Sequence, residues 1–225
     1  MDFLFNPENK FWSFINKLMD VCCLGILWFI ASIPIITMGA ATTSLYQFTL
    51  KQTDNEEGYV WRSFWKAFRK NFLPATALWL IILAAGAFLA ADVWACLNVN
   101  MPGAVRMVCF GVLLCLALIY ILTSMYVFPI LSRFDRKVKT IISHSFIMAV
   151  GNLYVSVTVL VIYAGFAFLT YQILILFPVF VALAAFVSSY FFRSVFSRYW
   201  DEDDKEDVWE VQSDDQIQSE EQIPQ

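Results

Sequence analysis

The sequence predicts an all-α fold: a polytopic α-helical membrane protein with about five transmembrane helices and amphipathic interfacial helices. Three observations lead there. Of 225 residues, 60% are hydrophobic and 15% charged, whereas soluble domains carry about a quarter charged and about half apolar residues. Residues 140–192 form a 53-residue run without Asp, Glu, Lys or Arg, long enough for two spans of about 20 residues each. Charge is also partitioned: residues 1–200 hold 14 Lys plus Arg against 8 acids, and residues 201–225 hold 11 acids and one Lys. The chain therefore divides into a transmembrane helical domain, 1–200, and an acidic tail, 201–225, whose composition predicts disorder.

The first apolar segment covers Leu18–Ile36, and GAATTSLYQFTLK continues with helical character to Lys51. Lys10 and Lys17 precede it in the manner of a signal peptide, but Asp2, Glu8 and Asp20 dilute the positive region, and the segment is read as retained. The loop TDNEEG separates it from the second span, Leu73–Leu97. After the turn NVNMPG at 98–103, a third span runs Val105–Leu131. The fourth and fifth, Leu153–Thr170 and Ile173–Phe192, share the uncharged run, and Pro178 is expected to kink the fifth. The five cysteines form no CxxC pair and one His is present, so spacing offers neither a disulfide framework nor a zinc site, and no cofactor is expected.

Positive charge orients the spans. With five crossings, twelve Lys and Arg fall on the side of the C-terminus and three on the other. The chain is then a multi-pass plasma-membrane protein with its C-terminus cytoplasmic and its N-terminus outside. If the first segment instead turns back near Pro34–Gly39, the N-terminus is cytoplasmic and the ratio becomes fourteen to one. Against that, Ala40–Lys51 makes about 18 Å of helix, too short to cross unaided. A kinked long helix and a re-entrant pair both satisfy the sequence.

Two stretches stand out as sites. In WRSFWKAFRKNF, Trp61, Phe64, Trp65, Phe68 and Phe72 recur at helical spacing as one stripe, and Arg62, Lys66, Arg69 and Lys70 occupy a neighbouring sector. Such a helix is expected at the membrane interface, with rings at headgroup depth and cations toward anionic lipid. The same residue types bind single-stranded nucleic acid, but this strip runs straight into a span, so the bilayer is its expected partner and nucleic acid is not. In SIPIITMGAA, Pro34 removes a backbone donor, Thr37 follows, and Gly39 permits close approach. A helix break in lipid must be sheltered, so Pro34–Gly39 is expected to face protein.

The residues LFNPENKFWSFINKLMD, ASIPIITMGAATTSLY and EEGYVWRSFWKAFRKNFLPATALWLI resemble the YesL-like family of bacterial integral membrane proteins, whose domain has no established function. The likeness is densest over residues 3–82 and looser to about 200. It implies a polytopic plasma-membrane protein encoded near sugar-uptake ABC transporters and carbohydrate-degrading enzymes. It brings no catalytic residues with it.

Chemistry is sparse in the sequence itself. No GxGxxG, P-loop, HExxH or GxSxG pattern is present. His144 lies between Ser143 and Ser145, but neighbours on a helix point about 100° apart. The span centres carry no charge of the kind that ion-coupled carriers bury. Thr37, Thr42, Thr43, Tyr46 and Gln47 could hold a neutral sugar, although small hydroxyl residues also let helices pack closely. The function expected is therefore non-enzymatic: an accessory or regulatory partner in carbohydrate uptake, set beside a sugar ABC transporter permease. The alternative is a small transporter or channel for a neutral solute.

Overall fold

The computed structural model describes residues 10–54, 59–99, 102–134 and 136–199; the acidic tail lies outside them. Among the described residues every regular element is helical: α1 Lys10–Ser32, α2 Met38–Thr53, α3 Val60–Asn98, α4 Gly103–Arg133, α5 Val138–Gly151, α6 Leu153–Gln172 and α7 Phe177–Tyr199. Short 3-10 turns, Ile35–Thr37 and Leu174–Leu176, join α1 to α2 and α6 to α7. Five of the helices, α1, α3, α4, α6 and α7, are long and apolar enough to cross a membrane.

The first apolar segment is a hairpin, not one kinked helix. Trp28 Nε1 donates to Thr42 Oγ1 (3.1 Å) near the turn, and Gln52 Nε2 donates to the Lys17 carbonyl (3.5 Å) near the open end. Pairings of 28 with 42 and 17 with 52 require antiparallel helices. Pro34 ends α1 because its ring blocks a regular continuation, and it sits extended at φ −76°, ψ 118°. The Thr37 hydroxyl lies within reach of the Ala31 and Pro34 carbonyls (2.6 and 2.8 Å), and the Thr37 backbone N–H also donates to the Pro34 carbonyl (3.0 Å), so the turn is closed from within.

α2 is the axis of the molecule. Twelve of its sixteen residues are buried, enclosed by α1, α3, α4 and α7. Its small residues allow this: Gly39, Ala40, Ala41 and Ser44 are all buried, and Thr43 and Ser44 donate their protons to the Gly39 and Ala40 carbonyls (2.9 and 2.8 Å). Polar bonds then tie α2 outward, with Thr49 to Ser189 of α7 (2.8 Å) and Asn71 of α3 donating to Gln47 (3.1 Å). Hydrogen bonds of this kind between helices join small-residue packing as the adhesive of membrane bundles, because lipid supplies no hydrophobic drive.

At the open end of the hairpin, Asp54 receives Arg133 from the end of α4 (3.0 Å) and Arg193 from α7 (2.7 Å), and Arg193 also donates to the Thr53 carbonyl (3.0 Å). The start of α1 and the ends of α2, α4 and α7 therefore share one face. Of the two arrangements the sequence allows, this is the one in which the first segment turns back near Pro34–Gly39. α2 is not among the five helices long and apolar enough to span, because its hydroxyls and Gln residues lower its hydropathy.

The fifth span also differs from expectation. α7 begins at Phe177, after the 3-10 turn, and Pro178 occupies its first turn. A first-turn proline loses no helical hydrogen bond, so it starts α7 where a kink was expected. Pro74 and Pro129 do lie inside α3 and α4, which run through them.

α3 and α4 outreach everything else. The α1–α2 turn meets α3 at Trp79, whose Nε1 donates to the Ile35 carbonyl (2.8 Å). From there α3 continues 19 residues to Asn98, about 28 Å at 1.5 Å per residue, with α4 alongside. Tyr120 donates to the Ile82 carbonyl (2.8 Å) within this arm. Among the described residues of the arm, 80–98 and 103–121, Cys96 alone is buried.

A hydroxyl-floored cavity as candidate functional site

The aromatic–basic strip forms the first turns of α3 and is continuous with the span that follows. Its stripe turns inward. Phe64 is fully buried, and Trp65, Phe68 and Phe72 pack against the core beside it. The rings meet in sequence, Phe64 stacking on Phe68 (6.3 Å between centroids) and Trp65 lying edge-on to Phe68 (5.4 Å). Trp61, Arg62, Lys66, Arg69 and Lys70 are exposed. The four bases thus stay exposed, while protein is the partner of Phe64, Trp65, Phe68 and Phe72 but not of Trp61, which is exposed with the bases.

The break at Pro34–Gly39 is split. Gly39 is buried, and a Cβ there would lie 2.6 Å from the Ala75 carbonyl oxygen and 2.7 Å from Trp79 Cβ. Thr37 is half-buried, but Pro34, Ile35 and Ile36 are exposed. The expected shelter reaches Thr37 and Gly39 and stops short of the turn itself. Its backbone is served from within, by Trp79 and Thr37.

The hydroxyl residues proposed for a neutral ligand separate likewise. Thr37 and Thr43 bond backbone carbonyls and Gln47 is held by Asn71, whereas Thr42 and Tyr46 line a cavity of about 410 Å³. That volume falls within the usual range of small-molecule pockets, roughly 300–1,000 Å³. Trp28 of α1, Phe128 of α4, Phe166 of α6, and Phe177 and Phe180 of α7 supply its walls. The walls brace one another: Trp28 is edge-on to Phe177 (5.8 Å) and Phe166 tilts on Phe180 (6.3 Å). Close helix contact behind them depends on Gly25, where a Cβ would strike the Pro178 carbonyl.

The floor is a pair of tyrosine hydroxyls backed by a buried serine. Tyr46 of α2 and Tyr163 of α6 share a short hydrogen bond, and both face Ser188 of α7 (3.5 and 3.3 Å). On the α1, α2 and α7 sides the lining residues Trp28, Leu45, Tyr46, Ala184 and Ala185 are buried, while Ala167 of α6 is exposed. α4 and α6 meet through Tyr126 and Ser156 (2.9 Å). Ser124 and Met125 of α4 and Ala167 and Thr170 of α6 also line the cavity, and Ala167 is its exposed lining residue.

Sequence reading singled out Thr42 and Tyr46 but missed Tyr163, Ser188 and Trp28, and it missed the cluster at Asp54. The signal for the first two was present: Tyr and Ser inside an otherwise apolar, uncharged run need internal partners. Nothing in the spacing of 46, 163 and 188 says that they meet. His144 is exposed on α5 while Ser145 donates to the Ile141 carbonyl (2.7 Å), so the two do not form a pair.

Two comparisons with known proteins bear on identity. Residues 21–93, which span most of α1, α2 and the greater part of α3, match the family described as "Protein of unknown function, DUF624". The chain is 28% identical over 145 residues to "Uncharacterized protein YesL" of Bacillus subtilis (strain 168), covering 64% of this chain and 67% of that protein. No solved structure matches significantly. The family match overlaps the stretch where the sequence resemblance is densest, and the chain is similar to this family of unknown function and to the uncharacterised YesL protein.

Proposed function

We propose that this chain is a non-enzymatic, multi-pass protein of the plasma membrane that acts as an accessory or regulatory partner in carbohydrate uptake, packed against a sugar ABC transporter permease. The α3–α4 arm is the observation that carries the partner role. It extends about 28 Å past the α1–α2 turn, and its side chains stand open: Phe88 and Trp94 are each 68% exposed and Met107 is 80% exposed. Two apolar helices with little of their own chain around them offer a face to another membrane protein's helices. The carbohydrate setting comes from the family resemblance.

Orientation follows from charge. Every Lys and Arg except Arg106 lies on, or is joined through the chain to, the end of the molecule that holds Asp54, giving fourteen against one. The positive-inside rule places that end, with the C-terminus, in the cytoplasm. The α1–α2 turn exposes Ile33, Ile35 and Ile36 by 60–69%, so it is read as re-entrant, ending within the hydrocarbon while the arm continues across.

Capture from membranes in mild detergent tests the partner role. The chain should retain a sugar permease, and Gly111→Trp should lose it while staying folded, because nothing lies within 4 Å of a Cβ at Gly111. A monodisperse protein that captures no permease sinks the reading. The cavity favours the second reading, a transporter for a neutral solute, and substrate-driven uptake into proteoliposomes containing this chain alone would support it.

A further inference from the structure

The hydroxyl protons around the cavity can be followed one by one. Those of Thr42, Ser124 and Thr170 go to backbone carbonyls one turn back, at Met38, Ile121 and Phe166 (2.8, 2.9 and 2.9 Å). Ser188 donates to the Ala185 carbonyl (3.0 Å). Of Tyr46 and Tyr163, one donates to the other and the second to Ser188. The remaining polar group of the wall, Trp28 Nε1, donates to Thr42. Each donor is committed, while each hydroxyl oxygen has two lone pairs and the tyrosine pair keeps several unfilled. The cavity therefore presents acceptors and withholds donors.

That asymmetry selects ligand chemistry. A carboxylate or phosphate needs donors and a cation, and no lining residue is charged. An ester or ether head offers further acceptors and finds nothing to accept from. A free sugar would set most of its hydroxyls against aromatic and aliphatic walls, and an unpaired buried hydroxyl is costly. A single donor on an apolar body satisfies both the floor and the walls. The exposed lining residue, Ala167, lies on α6, a helix long and apolar enough to cross a membrane, so the α4–α6 edge is taken as the mouth and the bilayer as the source of the ligand.

We propose that this cavity is a binding site for an uncharged, membrane-dissolved alcohol, its hydroxyl donating to the Tyr46–Tyr163 pair and its apolar chain directed to the α4–α6 mouth. The proposal is independent of the partner role above.

The test uses the full chain in phosphatidylcholine liposomes with hexadecanol carrying a diazirine in its chain, alongside the matching methyl ether and fatty acid. Photolabelling by the alcohol should concentrate on residues 163–185 and fall on addition of excess unlabelled hexadecanol. It should exceed labelling by the ether about fivefold, the worth of one net hydrogen bond of about 1 kcal/mol. Tyr46→Phe with Tyr163→Phe should erase that preference while chain labelling persists. Ala167→Phe, at the exposed mouth and clear of the core, should suppress labelling by all three. Label spread evenly over lipid-facing residues such as Leu114 and indifferent to competitor would show annular lipid only and overturn the site. Equal labelling by alcohol and ether in the unmodified chain would overturn the head-group assignment.

Discussion

α2 and the α3–α4 arm are built on opposite rules. α2 is rich in Gly, Ala, Ser and Thr, and twelve of its sixteen residues are buried. The arm is rich in Leu, Ile, Val and Phe, and one of its described residues is buried. In water the arm would be the core and α2 the surface. In lipid the apolar side chains need no burial, and close approach with internal hydrogen bonds decides what lies inside. Burial here tracks smallness and hydrogen-bond capacity, while exposure tracks hydropathy.

The largest expected effects lie at the glycines that let α2 and α1 approach their neighbours. Gly39→Leu should abolish a stable fold. Gly39→Ala, the smaller change, already drives its Cβ to 2.6 Å from the Ala75 carbonyl; overpacking of this kind costs about 1–3 kcal/mol. Thermal unfolding in detergent should show the alanine variant clearly destabilised. A wild-type midpoint for Gly39→Ala would mean that α2 and α3 are not packed as described.

Next in size is the ion-pair cluster that closes the same end of the bundle. Asp54→Ala leaves Arg133 without this carboxylate at a site where both side chains are about 13–14% exposed, and should cost about 2 kcal/mol, the scale of a hydrogen bond to a charged group. Arg193→Ala removes the partner whose side chain is 51% exposed and should cost less than about 1 kcal/mol of ion-pair energy. Unfolding of the two variants in parallel checks the order, and a larger loss for Arg193→Ala would contradict it.

A smaller effect is expected from the exposed bases of α3. Lys66→Glu should reverse an attraction of about 1 kcal/mol to the anionic leaflet and leave the buried Phe64 in place. Binding of the purified protein to anionic detergent–lipid discs, set against neutral ones, reads this; an unchanged ratio would deny Lys66 a place at the lipid surface. The smallest effect belongs to the arm. Gly111→Ala meets nothing within 4 Å, so unfolding should shift upward or not at all, within about 1 kcal/mol. Destabilisation there would reveal packing that the arm does not have in this structure.

Much of this architecture was legible in the sequence, and the reasons are physical. The long apolar runs of α3, α4, α6 and α7 announce themselves because lipid-facing positions keep no polar residue. α5 begins at Val138, within the basic run Arg136, Lys137 and Lys139. α2 was not legible as a separate helix, since protein surrounds it and it keeps the Thr, Ser and Gln that lower its hydropathy. The turn at Pro34 was visible as a break, but proline alone does not tell a kink from a reversal. The cavity was the least legible part. Its floor joins positions 46 and 163, backed by 188, and separations of that length are set by helix packing, which leaves no local pattern.

The contrast between α2 and the arm can be measured directly with a carbene reagent dissolved in the bilayer. Liposomes containing the purified full chain alone would be photolysed and the modified residues mapped by mass spectrometry. Heavy labelling across 105–121 with none across 39–53 is the expected result. Labelling of 39–53 at the level of the arm would place α2 against lipid and contradict the buried axis on which the whole arrangement rests.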